Sequence, residues 1–211
     1  MKSFRYFLYG LPLIVLTVFT ACDDGLETIE NRDDRNNLVE MYTRNKETYA
    51  KQGNYIRYDA AGTVVEKAEY VNDTLHGNRI LYFENGKPQY VENYDRGKFS
   101  GLYQAYYDSG ELELSGEYVD GAMSGEWVRN YKNGQQMETV LFKDNQENGP
   151  FTEWHENGHL KAKGNYKGGD REHGELLLYD ERGELEKKMN CDNGVCRTTW
   201  QRDAEENTSE G

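Results

Sequence analysis

Six glycines constrain this chain more than any other feature: Gly53, Gly77, Gly101, Gly125, Gly149 and Gly174. The first five stand 24 residues apart and the last interval is 25. Other positions recur in register with them, and each takes a number, its offset from its frame glycine. At offset nine stands a second glycine, Gly62, Gly86, Gly110, Gly134, Gly158 or Gly183. At offset seventeen stands an aromatic, Tyr70, Tyr94, Tyr118, Phe142 or Tyr166, with Cys191 in the sixth copy. A fixed period of this length is the mark of a repeat architecture. Such stacks present extended surfaces more often than they build one catalytic pocket.

Within each copy, two runs rich in Tyr, Leu and Val flank a short turn. Glu84-Asn85-Gly86, Asp108-Ser109-Gly110 and Lys132-Asn133-Gly134 are examples. Strand formers around a Gly-containing turn read as a β-hairpin. A second turn joins each hairpin to the next. Its offset-twenty residue is Asp73, Gly97, Gly121, Asn145, Gly169 or Gly194, all types that tolerate the left-handed region. One residue with positive φ is therefore expected in each connection. The fold class that follows is all-β, an elongated single-layer antiparallel meander of repeated β-hairpins. Twelve strands at ~4.8 Å would make the repeat sheet on the order of 55 Å long.

Alternation assigns faces. Offsets three and five, with eleven and seventeen, give the more apolar side. The other side is mostly charged but carries Tyr55, Tyr103, Trp127 and Phe151 at offset two, and Phe83, Tyr107 and Tyr131 at offset six. Tyr55, Tyr103, Trp127, Phe151, Tyr107 and Tyr131 are the candidate binding face.

The N-terminus reads as a targeting segment. Lys2 and Arg5 precede an apolar run, Phe7 to Phe19, followed by Thr20-Ala21-Cys22. The run is shorter than the roughly 20 residues of a spanning helix. A small residue before a cysteine at the end of such a stretch resembles a bacterial lipobox. That resemblance implies cleavage before Cys22 and acylation of its thiol, hence a lipid anchor at the cell envelope, on the periplasmic face or the outer surface. The expected organisation is a signal peptide over 1–21, a linker over 22–26 and an atypical capping hairpin over 27–52. Six repeats over 53–196 and a disordered acidic tail over 197–211 complete it.

Charge narrows the partners. The full chain carries −13. Removal of Lys2 and Arg5 leaves 23 basic residues against 38 acidic ones, a net charge of −15. Nucleic acid and anionic headgroups both call for basic patches, so neither is expected. With Cys22 taken by lipid, Cys191 and Cys196 remain, separated by the turn sequence Asp192-Asn193-Gly194-Val195. In an oxidising compartment they are expected to form a disulfide. Cys191 stands at the offset-seventeen aromatic position. Cys196 stands at offset twenty-two, where Leu75, Phe99 and Met123 occur. The pair would replace an apolar contact by a covalent one, contributing up to ~3 kcal/mol.

Gly-x-Trp-x-x-Asn-Tyr-x-Asn-Gly at 125–134 and Gly-x-Tyr-x-x-Tyr-Tyr-x-x-Gly at 101–110 resemble the bacterial variant of the MORN repeat. The resemblance covers 53–196. It implies a hairpin sheet with a binding or scaffolding role, and some bacterial relatives carry the name of antitoxin component of toxin–antitoxin modules.

His155-Glu156-Asn157-Gly158-His159 matches the zincin motif HExxH in letters. Zinc binding by that motif needs both histidines on one helical face. Here the letters fall on a repeat turn, so His155, Glu156 and His159 read as a chance match. There is no phosphate-cradling loop, nucleophile elbow or dinucleotide fingerprint, and no cofactor or metal is expected. The favoured function is a non-enzymatic, membrane-anchored module that binds a protein partner, with sheet ends that leave room for a homodimer. The rival readings are a cell-wall or glycan-binding module, an antitoxin-like component, and, most remote, a zinc hydrolase.

Overall fold

The computed structural model describes residues 24–202, and every regular element in that span is a β-strand. Cys22 and the apolar run before it lie outside the described residues. In chain order the strands are β1 (Leu26–Arg32), β2 (Leu38–Asn45), β3 (Lys51–Tyr58), β4 (Val64–Val71), β5 (Thr74–Tyr82), β6 (Pro88–Asp95), β7 (Lys98–Phe99) and β8 (Gly101–Tyr106). They continue as β9 (Leu112–Val119), β10 (Ala122–Asn130), β11 (Gln136–Lys143), β12 (Gln146–Trp154), β13 (Leu160–Tyr166), β14 (Gly174–Tyr179), β15 (Leu185–Asp192) and β16 (Val195–Gln201). All belong to one open antiparallel sheet in strict chain order, with β7 and β8 both paired to β6. The fold is the expected single-layer meander.

The turns explain the glycine frame. At the hairpin tip, Gly86 donates its N–H to the carbonyl of Phe83 at 2.9 Å and has φ of +80°. This is a type I turn closed by a left-handed glycine. The connections between copies differ from expectation: two residues, not one, have positive φ. Asn72 and Asp73, Arg96 and Gly97, Asp120 and Gly121, and Asp144 and Asn145 all do so. Two successive left-handed residues make a type I′ turn, whose twist matches that of the strands. The N–H of the second residue then reaches back one copy. Gly97 donates to Leu75 at 2.8 Å and Gly121 to Phe99 at 2.9 Å.

Each copy holds two breaks in register. Inside the β10–β11 hairpin, Gly125↔Phe142 to Arg129↔Glu138 is regular, then the pairing slips to Asn130↔Gln136. Between copies, Ser124 faces Glu117 but Val128 faces Ser115, so the residues from Gly125 to Trp127 form a bulge. Bulges break side-chain alternation. Counting across the slip inside the hairpin is what misassigns the faces. Offset seventeen does not share a side with offsets three and five. Gly125↔Phe142, Trp127↔Val140 and Arg129↔Glu138 put offset seventeen on the side of offsets two and four.

The core lies on that one face. Tyr55, Trp127, Val140, Phe151 and Ala162 are all below a tenth exposed although no second layer covers them among the described residues. They cover one another. Tyr103 and Tyr118 lie 5.7 Å apart and edge-on, Trp127 and Phe142 6.0 Å apart, and Phe151 and Tyr166 stack at 4.2 Å. Such pairs add roughly 0.5–1.5 kcal/mol each beyond burial.

The C-terminal region departs from expectation. Residues 197–201, assigned to a disordered tail, belong to β16. Cys196 opposite Cys191 and Trp200 opposite Lys188 pair the strand with β15. The Cys191–Cys196 disulfide is formed across this hairpin, with 3.9 Å between the Cα atoms. At the other end, β1 and β2 form a hairpin of their own, from Leu26↔Asn45 to Arg32↔Leu38.

Candidate functional site

The proposed binding face is corrected by burial. Tyr55, Trp127 and Phe151 are 7%, 3% and 4% exposed, so offset two supplies the core and not a contact surface. Tyr103 is half-buried among Tyr90, Phe99, Tyr118 and Trp127. Burial pushes its phenol up to about 12. Trp127 lies flat over Gly116 in the neighbouring copy: a Cβ there would sit 2.1 Å from the indole.

Tyr107 and Tyr131 serve a different purpose. Their hydroxyls donate to the carbonyls of Asn130 at 2.8 Å and Trp154 at 2.9 Å, each one copy ahead. His155 holds the same offset in the fifth copy, and its Nε2 lies 3.1 Å from the carbonyl of Tyr179. The Nδ1 of His159 lies 2.8 Å from a different carbonyl, that of Glu181. The two rings are thus tied to separate backbone atoms of the next turn. The turn asparagines make a parallel ladder, Asn85 donating to Asp108 at 2.8 Å and Asn157 to Glu181 at 2.7 Å.

Two polar regions interrupt the aromatic face. In the second copy the offset-two residue is Arg79. It bonds Glu66 at 2.7 Å and Glu92 at 3.2 Å, while Arg57 bonds Glu66 at 3.0 Å. Glu66 is 7% exposed, and the two guanidiniums hold its carboxyl below the usual range against the opposing effect of burial. In the fourth copy Glu138 stands directly opposite Glu153. Burial first, then the Glu153 charge, raises Glu138.

The opposite face was assigned too little. Its central row is continuous through the register: Met41↔Ile56, Ile56↔Lys67, Lys67↔Ile80 and Ile80↔Val91, on to Leu177↔Lys188 and Lys188↔Trp200. Over β1 to β5 this face holds a concavity of about 490 Å³, walled by Thr28, Met41, Thr43, Ile56, Lys67 and Ile80. Offset three supplies Ile56 and Ile80, which the sequence did mark as apolar. What it missed is that Ile56 and Ile80 stay partly exposed while Tyr55, Trp127 and Phe151 are enclosed. The sequence signal was the recurrence of β-branched residues at that offset, Ile56, Ile80, Val128 and Thr152.

Three stretches match the MORN repeat variant. They are residues 51–72, 75–96 and 147–167. The first two cover copies whose offset-two residues are Tyr55 and Arg79, so a MORN repeat admits either a ring or a guanidinium there. The third contains the HExxH letters, within a MORN hairpin. No curated protein matches the chain.

Proposed function

We propose that this protein is a non-enzymatic, lipid-anchored MORN-repeat scaffold that binds another protein across the face opposite its aromatic core. The observation that carries the reading is the 490 Å³ concavity on that face, apolar at Met41, Ile56 and Ile80 and bordered by the polar Asn54, Lys67, Glu69 and Asn78. Concave apolar ground with a few polar groups is the usual form of a binding site. The repeat presents the row along the whole sheet, and acylation at Cys22 would hold it at a membrane surface.

The glycan reading is weakened, because three of the six rings proposed to stack on sugars, Tyr55, Trp127 and Phe151, are buried. The zinc reading is disfavoured by rings that bond separate carbonyls, and the described residues hold no cluster of His, Cys, Asp and Glu suited to a metal. The antitoxin-like role keeps its place as one form of protein binding.

The test is affinity capture with the full chain from detergent extracts, repeated with Ile56→Asp and Ile80→Asp. Both variants should keep the thermal transition and lose the captured partner. Retention of the same partner by both refutes the assignment of the face. The anchor is read separately, as an acyl mass on the mature chain that disappears in Cys22→Ser.

A further inference from the structure

The face opposite the core carries a second line of rings. Offset five is Tyr58, Tyr82, Tyr106, Asn130, Trp154 or Tyr179, the last residue of β3, β5, β8, β10, β12 and β14. Each stands two residues past a member of the central row, so it points to the same side. The slip in each hairpin leaves this alternation intact, because its extra residue, Met137 in the fourth copy, lies on the second strand. The Lys67 ammonium, itself in the central row, lies 5.8 Å from the centre of the Tyr82 ring. Equivalent rings are two strands apart, ~9.6 Å.

Over β8 to β16 this line is clear of the concavity, which lies over β1 to β5. Tyr106, Trp154 and Tyr179 are half-buried, and Trp200 is 43% exposed. Among the described residues none of the four touches another ring, and the hydroxyls of Tyr106 and Tyr179 bond nothing. Cations stand between the rings. Lys163 on β13 separates the strands of Trp154 and Tyr179, and Lys188 on β15 those of Tyr179 and Trp200. Neither ammonium has an ion-pair partner among the described residues. From Met41 to Trp200 the central row holds these lysines, Lys67 and no carboxylate, on a chain of net charge −13. Glu117, Glu126 and Glu175 lie across that row from the rings.

We infer that this stretch binds a linear β-linked polysaccharide bearing carboxylates, as a ligand additional to the protein partner. Pyranose rings present apolar C–H faces that pack on aromatic rings, while the polar tip of a tyrosine bonds hydroxyls. An extended β-linked chain repeats with each disaccharide, a length close to the ring spacing. An extended peptide does not match it, since its side chains on one face recur every ~6.6 Å. One disaccharide per copy lays one sugar on Trp154 and another on Tyr179, with a carboxylate between them in reach of Lys163. Lys188 and Trp200 repeat the arrangement one step further on. Asn130 interrupts the line in the fourth copy, so Trp154 to Trp200 is the continuous stretch.

The experiment is a calorimetric titration of the full chain, held in a detergent without a sugar headgroup. The probes are oligomers of β-linked mannuronate, of β-linked glucose and of α-linked galacturonate. The first has both shape and charge, the second shape alone and the third charge alone. Mannuronate should bind most tightly, and added salt should weaken it toward the level of the glucose oligomer. Trp154→Ala and Tyr179→Ala should each weaken mannuronate binding about tenfold, and Trp154→Phe, which keeps a ring, much less. Lys163→Gln with Lys188→Gln should abolish the preference for mannuronate over glucose. No binding of mannuronate at millimolar concentration overturns the proposal. Galacturonate binding as tightly overturns it too, since the rings would then read no shape. Glucose binding as tightly removes the role of the lysines and overturns the charged ligand. Capture on vesicles of phosphatidylglycerol without saccharide binding reassigns the rings to a membrane surface and likewise overturns it. The wild-type titrations decide even if a variant misfolds.

Discussion

The second and fourth copies use the same backbone positions to bury opposite chemistry. Offset two is Arg79 in one and Trp127 in the other. Offset thirteen of the copy before Arg79 is Glu66, and offset thirteen of the fourth copy is Glu138. Around Arg79 each carboxylate has a cation: Glu66 has two and Glu92 one, with Tyr94 donating its hydroxyl to Glu92 at 3.0 Å. Around Trp127 the rings close over a glycine, and Glu138 meets another carboxylate. A one-layer sheet can thus fill its buried row with rings or with ions, because each copy need only match its neighbours. The ionic solution has to be complete, since an unpaired buried charge is costly. The ring solution has to be flat, since a large indole needs a floor without a side chain.

The largest effect should come from that floor. Gly116→Ala places a Cβ 2.1 Å from the Trp127 ring, and a rigid indole held between Tyr103 and Tyr118 cannot yield. A loss of about 3 kcal/mol or more is expected in urea unfolding. Offset fifteen is Ala68 and Glu92 in the two copies around Arg79, so a side chain is no obstacle in the ionic stretch. A loss under about 1 kcal/mol for Gly116→Ala would show that the two stretches do not differ in this way.

Arg79→Met tests the other half. It keeps the volume, and it leaves Glu92 without its cation and Glu66 with Arg57 alone. About 2 kcal/mol should be lost, less than for a fully enclosed pair because the Arg79 side chain is 26% exposed. Adding Glu66→Gln and Glu92→Gln should recover part of that loss. No recovery would mean that the arginine acts through its packing and not through its charge.

Legibility in the sequence divides along the same line. Turns were readable because their requirement is local: Asn85-Gly86 or Asp120-Gly121 declares its backbone angles without reference to anything distant. The Cys191–Cys196 pair was readable because its register position repeats that of Tyr94 and Phe99, whose rings meet at 4.7 Å. Faces were not, because the slip between Arg129↔Glu138 and Asn130↔Gln136 puts offsets eleven and seventeen of one strand on opposite sides. Charge on one side of a strand suggested solvent. At Glu66 it meant a salt-bridged interior, and no single-residue property distinguishes the two. Strand β16 was hidden because Arg197-Thr198-Thr199-Trp200 lacks the frame glycine of a seventh copy.

A smaller effect should separate the tyrosine and histidine versions of the cross-copy bond. Tyr131→Phe removes only the hydroxyl that bonds the Trp154 carbonyl at 2.9 Å, and about 1 kcal/mol should go with it. His155→Phe should cost a similar amount at neutral pH if the ring nitrogen near the Tyr179 carbonyl plays the same part. An unchanged midpoint for both would reduce these residues to packing.

The smallest effect has the opposite sign. Glu138→Gln keeps the shape of the side chain and removes the like-charge contact with Glu153. Glu138 is raised in the folded chain, so its protonated form is favoured there. Stability should fall as pH rises from the ordinary value near 4.5 through the raised one. Glu66 is lowered, so its contribution is present above that ordinary value and is lost as pH falls through the folded one. Glu138→Gln should therefore be more stable than wild type by about 0.5–1 kcal/mol near neutral pH and equal to it at about pH 3. Glu66→Gln should be less stable near neutral pH, with the difference shrinking on acidification. Paired unfolding curves at the two pH values check both signs. A destabilised Glu138→Gln at neutral pH would mean that its carboxylate, like that of Glu66, already has its cation, with Arg129 as the side chain in place to provide it.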